Sequence, residues 1–279
     1  MMTAQNQRVV FLCASGSKGG TEQLVRLLAG GLAKRGADSA VLALDSGNAE
    51  WLSQRGASVK AVQVMGQGKL LGILKLATAL RPWRNAVINI HYPTFDVYRS
   101  HFASMKLAGC RNVVASLHHP HLEDKGRVAA VRQEMDQCRS VIVTTPENKK
   151  TAEQLGLVAP GKAIVCLPGI EAPTVHDSAF AKQELGLAGD RVVVSTICRL
   201  APEKRVPLLV DAVYEANKTG GLFLAIGGDG PERATIEAYG RAKLGDHFKM
   251  LGYVQDPNLL YAASEVYAML SDLEGFGLA

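Results

Sequence analysis

Leu270-Ser-Asp-Leu-Glu-Gly-Phe-Gly-Leu-Ala279 follows an apolar run, Val266 to Leu270, and places an acid, two glycines and an aromatic where a helix is due to begin. The run reads as a buried strand and the change of composition after it as the loop of a strand-loop-helix unit. In open α/β sheets the space beyond the carboxyl ends of the strands is where ligands bind. The sequence stops at Ala279, before such a helix, so the unit is expected to be C-terminally truncated.

Working back from this stretch, the same alternation recurs. Arg191 to Cys198, Leu222 to Ile226 and His247 to Leu251 read as strands, Val206 to Ala216 as a helix, and Pro231 to Lys243 as a helix opened by proline in its first turn. Further upstream, strand-like runs lie at Val9 to Ala14, Ser39 to Leu44, Val59 to Val64, Ala86 to His91, Val113 to Leu117, Val141 to Thr144 and Ala163 to Leu167. Helical patterns separate most of them, such as one capped by Thr21, Lys69 to Leu80, and Val128 to Cys138. Strands alternating with helices imply parallel sheets covered on both faces. Pro168, Gly169 and Pro173 interrupt both periods and read as a linker. The expected architecture is α/β, with two Rossmann-like doubly wound domains facing a cleft, the second incomplete. Their bounds are residues 1–169, a linker at 170–178, and 179–279.

Composition bounds the functions available. At 47% hydrophobic and 20% charged the chain is of ordinary globular type, with no long apolar run and no leader pattern, so a cytoplasmic location is expected. Five scattered cysteines, Cys13, Cys110, Cys138, Cys166 and Cys198, read as reduced core residues and not as a disulfide framework. The net charge is +5, but between Trp51 and Asn112 the only acid is Asp96, against nine lysines and arginines. That asymmetry suits an anionic partner, either a lipid surface, with peripheral contact to an anionic membrane, or a phosphate-bearing acceptor, and equally a solvated basic face with no partner; nucleic acid is disfavoured because interleaved aromatics are missing. The apolar helix at Lys69 to Leu80 carries lysines and could lie on a membrane surface, although a core-covering helix explains the pattern more simply.

Several residues carry chemistry. Arg199 and Lys204 flank Leu-Ala-Pro-Glu directly after a strand, and two cations before a helix N-terminus suit a diphosphate; ordinary surface cations paired with Glu203 are the simpler alternative. Gly227-Gly-Asp-Gly-Pro-Glu232 forms a second glycine-rich turn at the same end of the sheet. Gly16, Gly19 and Gly20 follow the first strand but match neither the dinucleotide fingerprint nor the P-loop. His118, His119 and His121 cluster at a strand end, where adjacent side chains point to opposite faces, so a hydrogen-bonding histidine fits better than a metal site.

The motifs Cys198-Arg-Leu-Ala-Pro-Glu-Lys204, Ile226-Gly-Gly-Asp-Gly-Pro-Glu232, Leu251-Gly-Tyr-Val-Gln-Asp256 and Ser271-Asp-Leu-Glu-Gly-Phe-Gly277 together resemble the donor-binding domain of retaining glycosyltransferases of family 4, which have the GT-B fold. The N-terminal half is similar more loosely, through Gly19-Gly20-Thr21-Glu22 and His118.

The resemblance implies transfer of a sugar from a nucleotide-diphosphate sugar to a glycan or lipid-linked acceptor, with retention of configuration, no metal and no further cofactor. It implies that Arg199 and Lys204 hold the diphosphate, that Glu274 contacts the donor sugar, and that the backbone of Gly275, Phe276 and Gly277 reaches sugar and phosphate. His118 would lie near the sugar, Gly19 and Gly20 would line the cleft, Gly228 would lie beside the donor, and Tyr253 and Val254 would border the base. The sequence departs from the family in lacking the asparagine of a Pro-Asn-Gly turn at Leu167-Pro168-Gly169. A second glutamate and a bracing C-terminal helix would fall beyond Ala279. A nucleotide-sugar epimerase of the same fold, or a non-catalytic donor-binding module, are the alternatives; a dehydrogenase is disfavoured because no glycine fingerprint is followed by an acid at the next strand end.

Overall fold

Val10 and Leu12 pack into one apolar cluster and Phe11 and Cys13 into another, so β1 (Arg8–Cys13) is buried on both faces. Successive strand residues point to opposite sides, and an apolar run without alternation therefore demands cover on both. The computed structural model describes residues 7–13, 19–44, 49–53, 58–62, 69–92, 99–119, 125–187, 189–272 and 274–279. The chain divides into two compact units, Met1–Ile170 with Gly275–Leu278, and Glu171–Glu274 with Ala279.

In the first unit β1 joins β2 (Asp38–Ala43), β3 (Ser58–Ala61), β4 (Val87–Tyr92), β5 (Asn112–Leu117), β6 (Ser140–Val143) and β7 (Ala163–Val165) in a parallel sheet of order β3-β2-β1-β4-β5-β6-β7. Helices α1 (Gly20–Lys34) and α2 (Ala49–Ser53) cover one face through Val25, Ala29 and Leu52. On the other face α3 (Lys69–Leu80) supplies Leu76, Ala77 and Leu80, α4 (Arg99–Ala108) supplies Phe102 and Met105, and α5 (Val128–Gln137) and α6 (Pro146–Gln154) extend the layer. The order runs outward in both directions from β1 and β4, which makes that pair the point where winding reverses.

The second unit opens with α7 (Ser178–Glu184) and has a parallel sheet of order β10-β9-β8-β11: β8 (Val192–Ile197), β9 (Leu222–Gly227), β10 (Phe248–Gly252) and β11 (Val266–Tyr267). Val194, Leu224 and Ile226 pack against α8 (Val206–Ala216) and α9 (Arg233–Leu244), while Val193, Phe223 and Ala225 pack against α7 and α10 (Pro257–Ala262). Its winding reverses between β8 and β11.

Four local expectations are corrected. The strand expected at Val266 to Leu270 is only Val266–Tyr267, and Val266, Met269 and Leu270 are exposed, because this edge strand has a partner on one side only. Helix α1 is capped by Gly19 and not by Thr21: Gly19 is extended, and its N–H donates to Glu22 Oε2 at 3.0 Å. Pro231 precedes α9, which starts at Arg233 because the Glu232 N–H is taken by the Leu200 carbonyl at 3.0 Å. All five cysteines are free, but only Cys13, Cys110 and Cys138 are core residues; Cys166 is exposed, on the irregular segment after β7. Ala14, Gly16, Gln63, Val64, Asp96 and His121, which figured in the sequence reading, lie outside the described residues.

Candidate active site

In the second unit the reversal of winding places the segments after β8 and β11 side by side. After β8 the chain makes a tight turn at Pro202–Lys204, and Arg205, in the left-handed region at φ 49°, caps α8. Three successive bonds tie this turn to the segment after β11. The Asp272 N–H donates to the Glu203 carbonyl at 2.9 Å, Arg205 Nη1 to Asp272 Oδ1 at 2.8 Å, and Lys204 Nζ to Glu274 Oε1 at 2.6 Å. Lys204 is thus fixed by Glu274, 70 residues away, and not by the adjacent Glu203. Glu203 instead takes Arg199 Nη2 at 2.6 Å. Burial pushes the Glu203 carboxyl up, but its own backbone N–H and the Arg199 hydrogen bond, with the charges of Arg199 and Lys204, outweigh that and hold it below the ordinary range.

The floor of this cluster is backbone. Leu200 N–H donates to Asp229 O at 2.9 Å, Cys198 N–H to Gly227 O at 3.2 Å, and Gly228 N–H to Gly252 O at 2.6 Å, so the turns after β8, β9 and β10 interlock. Gly228 has φ +128°, and a Cβ there would stand 1.9 Å from the Cys198 carbonyl oxygen. Gly230, at φ +158°, is equally confined, 2.4 Å from the Leu200 oxygen. Val254 Cγ2 lies 2.9 Å from where a Cβ on Gly227 would be, while Tyr253 is half exposed. Burial pushes the Cys198 thiol up to about 11, so it is no nucleophile at neutral pH.

The first unit carries a second polar cluster at the carboxyl ends of β4, β5 and β6. The His118 N–H donates to Tyr92 O at 3.2 Å, and its Nε2 lies 2.8 Å from Nδ1 of His91 in β4. Burial lowers the His118 pKa to about 4, and burial, with the neighbouring His118, holds His91 well below its ordinary value. Thr144 Oγ1 donates to the Gly275 carbonyl at 3.0 Å and Asn148 Nδ2 to the same oxygen at 2.7 Å. A Cβ on Gly275 would stand 2.1 Å from the His118 carbonyl oxygen, so only glycine fits. Gly20 faces Leu278, whose Cδ1 is 3.6 Å from its Cβ position; Gly19 caps the same helix, Phe276 is exposed, and Gly277 has φ +75°. Among the described residues no group of three or more His, Cys, Asp or Glu side chains could hold a metal ion.

The structure therefore joins Lys204 to Glu274 in one unit and His118 to Gly275 in the other, while Arg199 is paired, among the described residues, to Glu203. Reading from sequence missed Arg205, Asp272, Thr144, Asn148 and His91. Asp272 was visible as a second acid two residues before Glu274, and His91 as a histidine ending an apolar strand, but only the topology gives either a partner.

Two parallel doubly wound units in series, with charged residues at the carboxyl ends of the strands, have the layout of the GT-B fold. The chain belongs to glycosyltransferase family 4: residues 18–172 match Glycosyltransferase Family 4, and residues 177–279 match Glycosyl transferases group 1. Solved structures share this fold. HepE of Anabaena, crystallised in complex with UDP and glucose, is 21% identical, covers 98% of this chain and 76% of its own, and gives a TM-score of 0.80. Sucrose-phosphate synthase of Thermosynechococcus elongatus is 18% identical over 98% of this chain and 77% of its own, with a TM-score of 0.74. TarM, 11% identical, covers 98% and 82% with a TM-score of 0.73. No curated protein sequence matches the chain.

Proposed function

We propose that this glycosyltransferase moves a sugar from a nucleoside-diphosphate sugar to a glycan or lipid-linked acceptor with retention of configuration. The observation that carries this reading is the Lys204–Glu274 pair at the reversal point of the second sheet, with Arg199 and Arg205 close by in sequence and a helix N-terminus beginning at Val206. Three cations face three carboxylates there through three ion pairs. A diphosphate entering this cluster displaces carboxylate partners from Arg199 and Lys204, and those cations then stabilise the charge that grows on the leaving phosphate as the glycosidic bond breaks. Glu274, released from Lys204, is left to accept from sugar hydroxyls. The acceptor hydroxyl attacks from the face the diphosphate leaves, and the leaving phosphate takes its proton. With the charge carried by side chains and a helix terminus, no metal is required. HepE crystals holding UDP, glucose or UDP-glucose support a nucleotide-sugar donor for the shared fold.

His118 meets the transferred sugar in this reading, and Tyr253 and Val254 border the base, as the family resemblance implies. Thermal melts with uridine, guanosine and adenosine diphosphate sugars, followed by proton NMR of the product's anomeric proton, test it. A donor that raises the melt and gives a retained product supports it; inversion, or epimerised donor without acceptor, contradicts it.

Peripheral contact with an anionic membrane is part of the proposal, consistent with a cytoplasmic enzyme that reaches lipid-linked acceptors. Its support is the outward face of α3, where Leu70, Leu71 and Leu74 are 71%, 51% and 47% exposed beside Lys75 and, on edge strand β3, Lys60. Among the described residues no helix is long and apolar enough to cross a membrane.

A further inference from the structure

His91 is the penultimate residue of its strand, before Tyr92, and is 1% exposed. Its Nδ1 lies 2.8 Å from His118 Nε2, and the two ring planes are only 23° apart, so each nitrogen's lone pair or N–H lies near the plane of the other ring. Such a bond between neutral imidazoles holds one proton: one nitrogen donates and the other is bare. Burial keeps both rings neutral at pH 7.

The other nitrogen of His91 decides the direction. Its Nε2 is buried with no hydrogen-bond partner among the described residues. If Nδ1 of His91 accepted, the ring's proton would sit on Nε2 as an orphaned N–H; if Nδ1 donates, Nε2 is only a bare lone pair. Orphaned buried N–H groups are the rarer and less tolerated of the two. The aromatic ring of Phe11, with its centroid 5.7 Å from that of His91, offers no oxygen to change this.

We infer that His91 is a positioning residue: it donates from Nδ1 to His118 Nε2 and so locks His118 in the tautomer whose proton is on Nδ1. His118 then meets its ligand as a neutral hydrogen-bond donor, and the group it selects is an uncharged oxygen acceptor such as a sugar hydroxyl. It is neither the base nor a cation in the reaction. The choice of ligand rests on the proposed function, whereas the tautomer does not.

Nitrogen-15 NMR of the full chain labelled at histidine, without ligand at pH 7.5, tests the tautomer directly. The expected spectrum has His118 protonated on Nδ1 and bare on Nε2, with His91 protonated on Nδ1. His118 protonated on Nε2 overturns the inference. In His91→Leu the constraint is gone, and His118 is expected to shift towards the Nε2–H form favoured by a histidine side chain in water. His91→Asn, whose amide nitrogen overlays Nδ1, is expected to restore the Nδ1–H form. In transfer assays His91→Leu is expected to lower kcat/KM by roughly 10- to 100-fold, chiefly through kcat, with His91→Asn recovering most of it. Equal losses in both variants contradict a positioning role. A chain that transfers no sugar would refute the proposed function and leave the NMR result to decide this inference alone.

Discussion

Lys204 Nζ and Glu274 Oε1 are 2.6 Å apart, with the lysine 16% and the glutamate 29% exposed, so the two charges proposed to serve leaving group and sugar are bonded to each other. Removing the lysine does two things at once. Lys204→Ala is expected to abolish sugar transfer and also to lower stability by roughly 1–3 kcal/mol, because a half-buried carboxylate loses its partner. Initial rates and a denaturant melt of the same preparation check both; retained turnover refutes the assigned role.

Glu274→Gln separates binding from turnover. Without the competing carboxylate, Lys204 is free to receive a phosphate, so affinity for a bare nucleoside diphosphate is expected to rise by about 3- to 10-fold, the equivalent of roughly 1 kcal/mol for a partly exposed pair. Transfer is expected to fall because the sugar loses its acceptor. Isothermal titration at low and high salt reads the first effect; affinity unchanged at low salt would show that the pair does not guard the cation.

Gly228→Ala is expected to unfold the second unit early. The new methyl would stand 1.9 Å from the Cys198 oxygen at φ +128°, so the interlocked turns after β8 and β9 must separate. A loss of about 2–4 kcal/mol is expected by calorimetry, against about 0.5 kcal/mol for an alanine at the exposed Gly189, which meets nothing within 4 Å.

Acid is expected to destabilise the first unit before the ordinary carboxylate range. His101 and His118 titrate at about 4 in the folded chain, lowered by burial from 6.5. Between those values the unfolded chain binds protons the folded chain refuses, so stability falls as pH drops from 6.5 to 4 and is insensitive to these groups above 6.5. Urea midpoints at pH 7.5, 6 and 5 check the sign; a midpoint rising on acidification contradicts it.

Leu71→Glu with Leu74→Glu is expected to abolish sedimentation with vesicles containing phosphatidylglycerol and to leave the melt almost unchanged, since both side chains are about half exposed. Equal binding to neutral phosphatidylcholine vesicles by the unmodified chain would exclude an anionic surface as the partner.

The alternation of apolar strands and helices was legible because strands buried on both faces read as unbroken apolar runs: Val10, Phe11, Leu12 and Cys13 announce two covering layers without help from tertiary structure. Edge elements were not, since β11 has the composition of a core strand and the exposure of a loop. Arg199, Lys204 and Glu274 were legible as residue types in recognisable motifs. Their pairing was legible only in part: Glu203, four residues from Arg199 and adjacent to Lys204, is the partner the sequence suggests for both; it is the partner of Arg199, whereas the return of the chain beside β8 gives Lys204 a different one, Glu274. His91 was hidden for the same reason, being separated by 27 residues from the histidine it touches.

Of the three bonds that fasten Glu203, Lys204 and Arg205 to Asp272 and Glu274, the Lys204–Glu274 pair also constrains how this protein can change over generations. Arg205 and Asp272 are each about half exposed, so their pair is replaceable, whereas replacement of Lys204 leaves the less exposed Glu274 carboxylate without its partner. The two short stretches, 70 residues apart at Lys204 and Glu274, are therefore coupled through that pair, and a chimera that takes both from one parent keeps it.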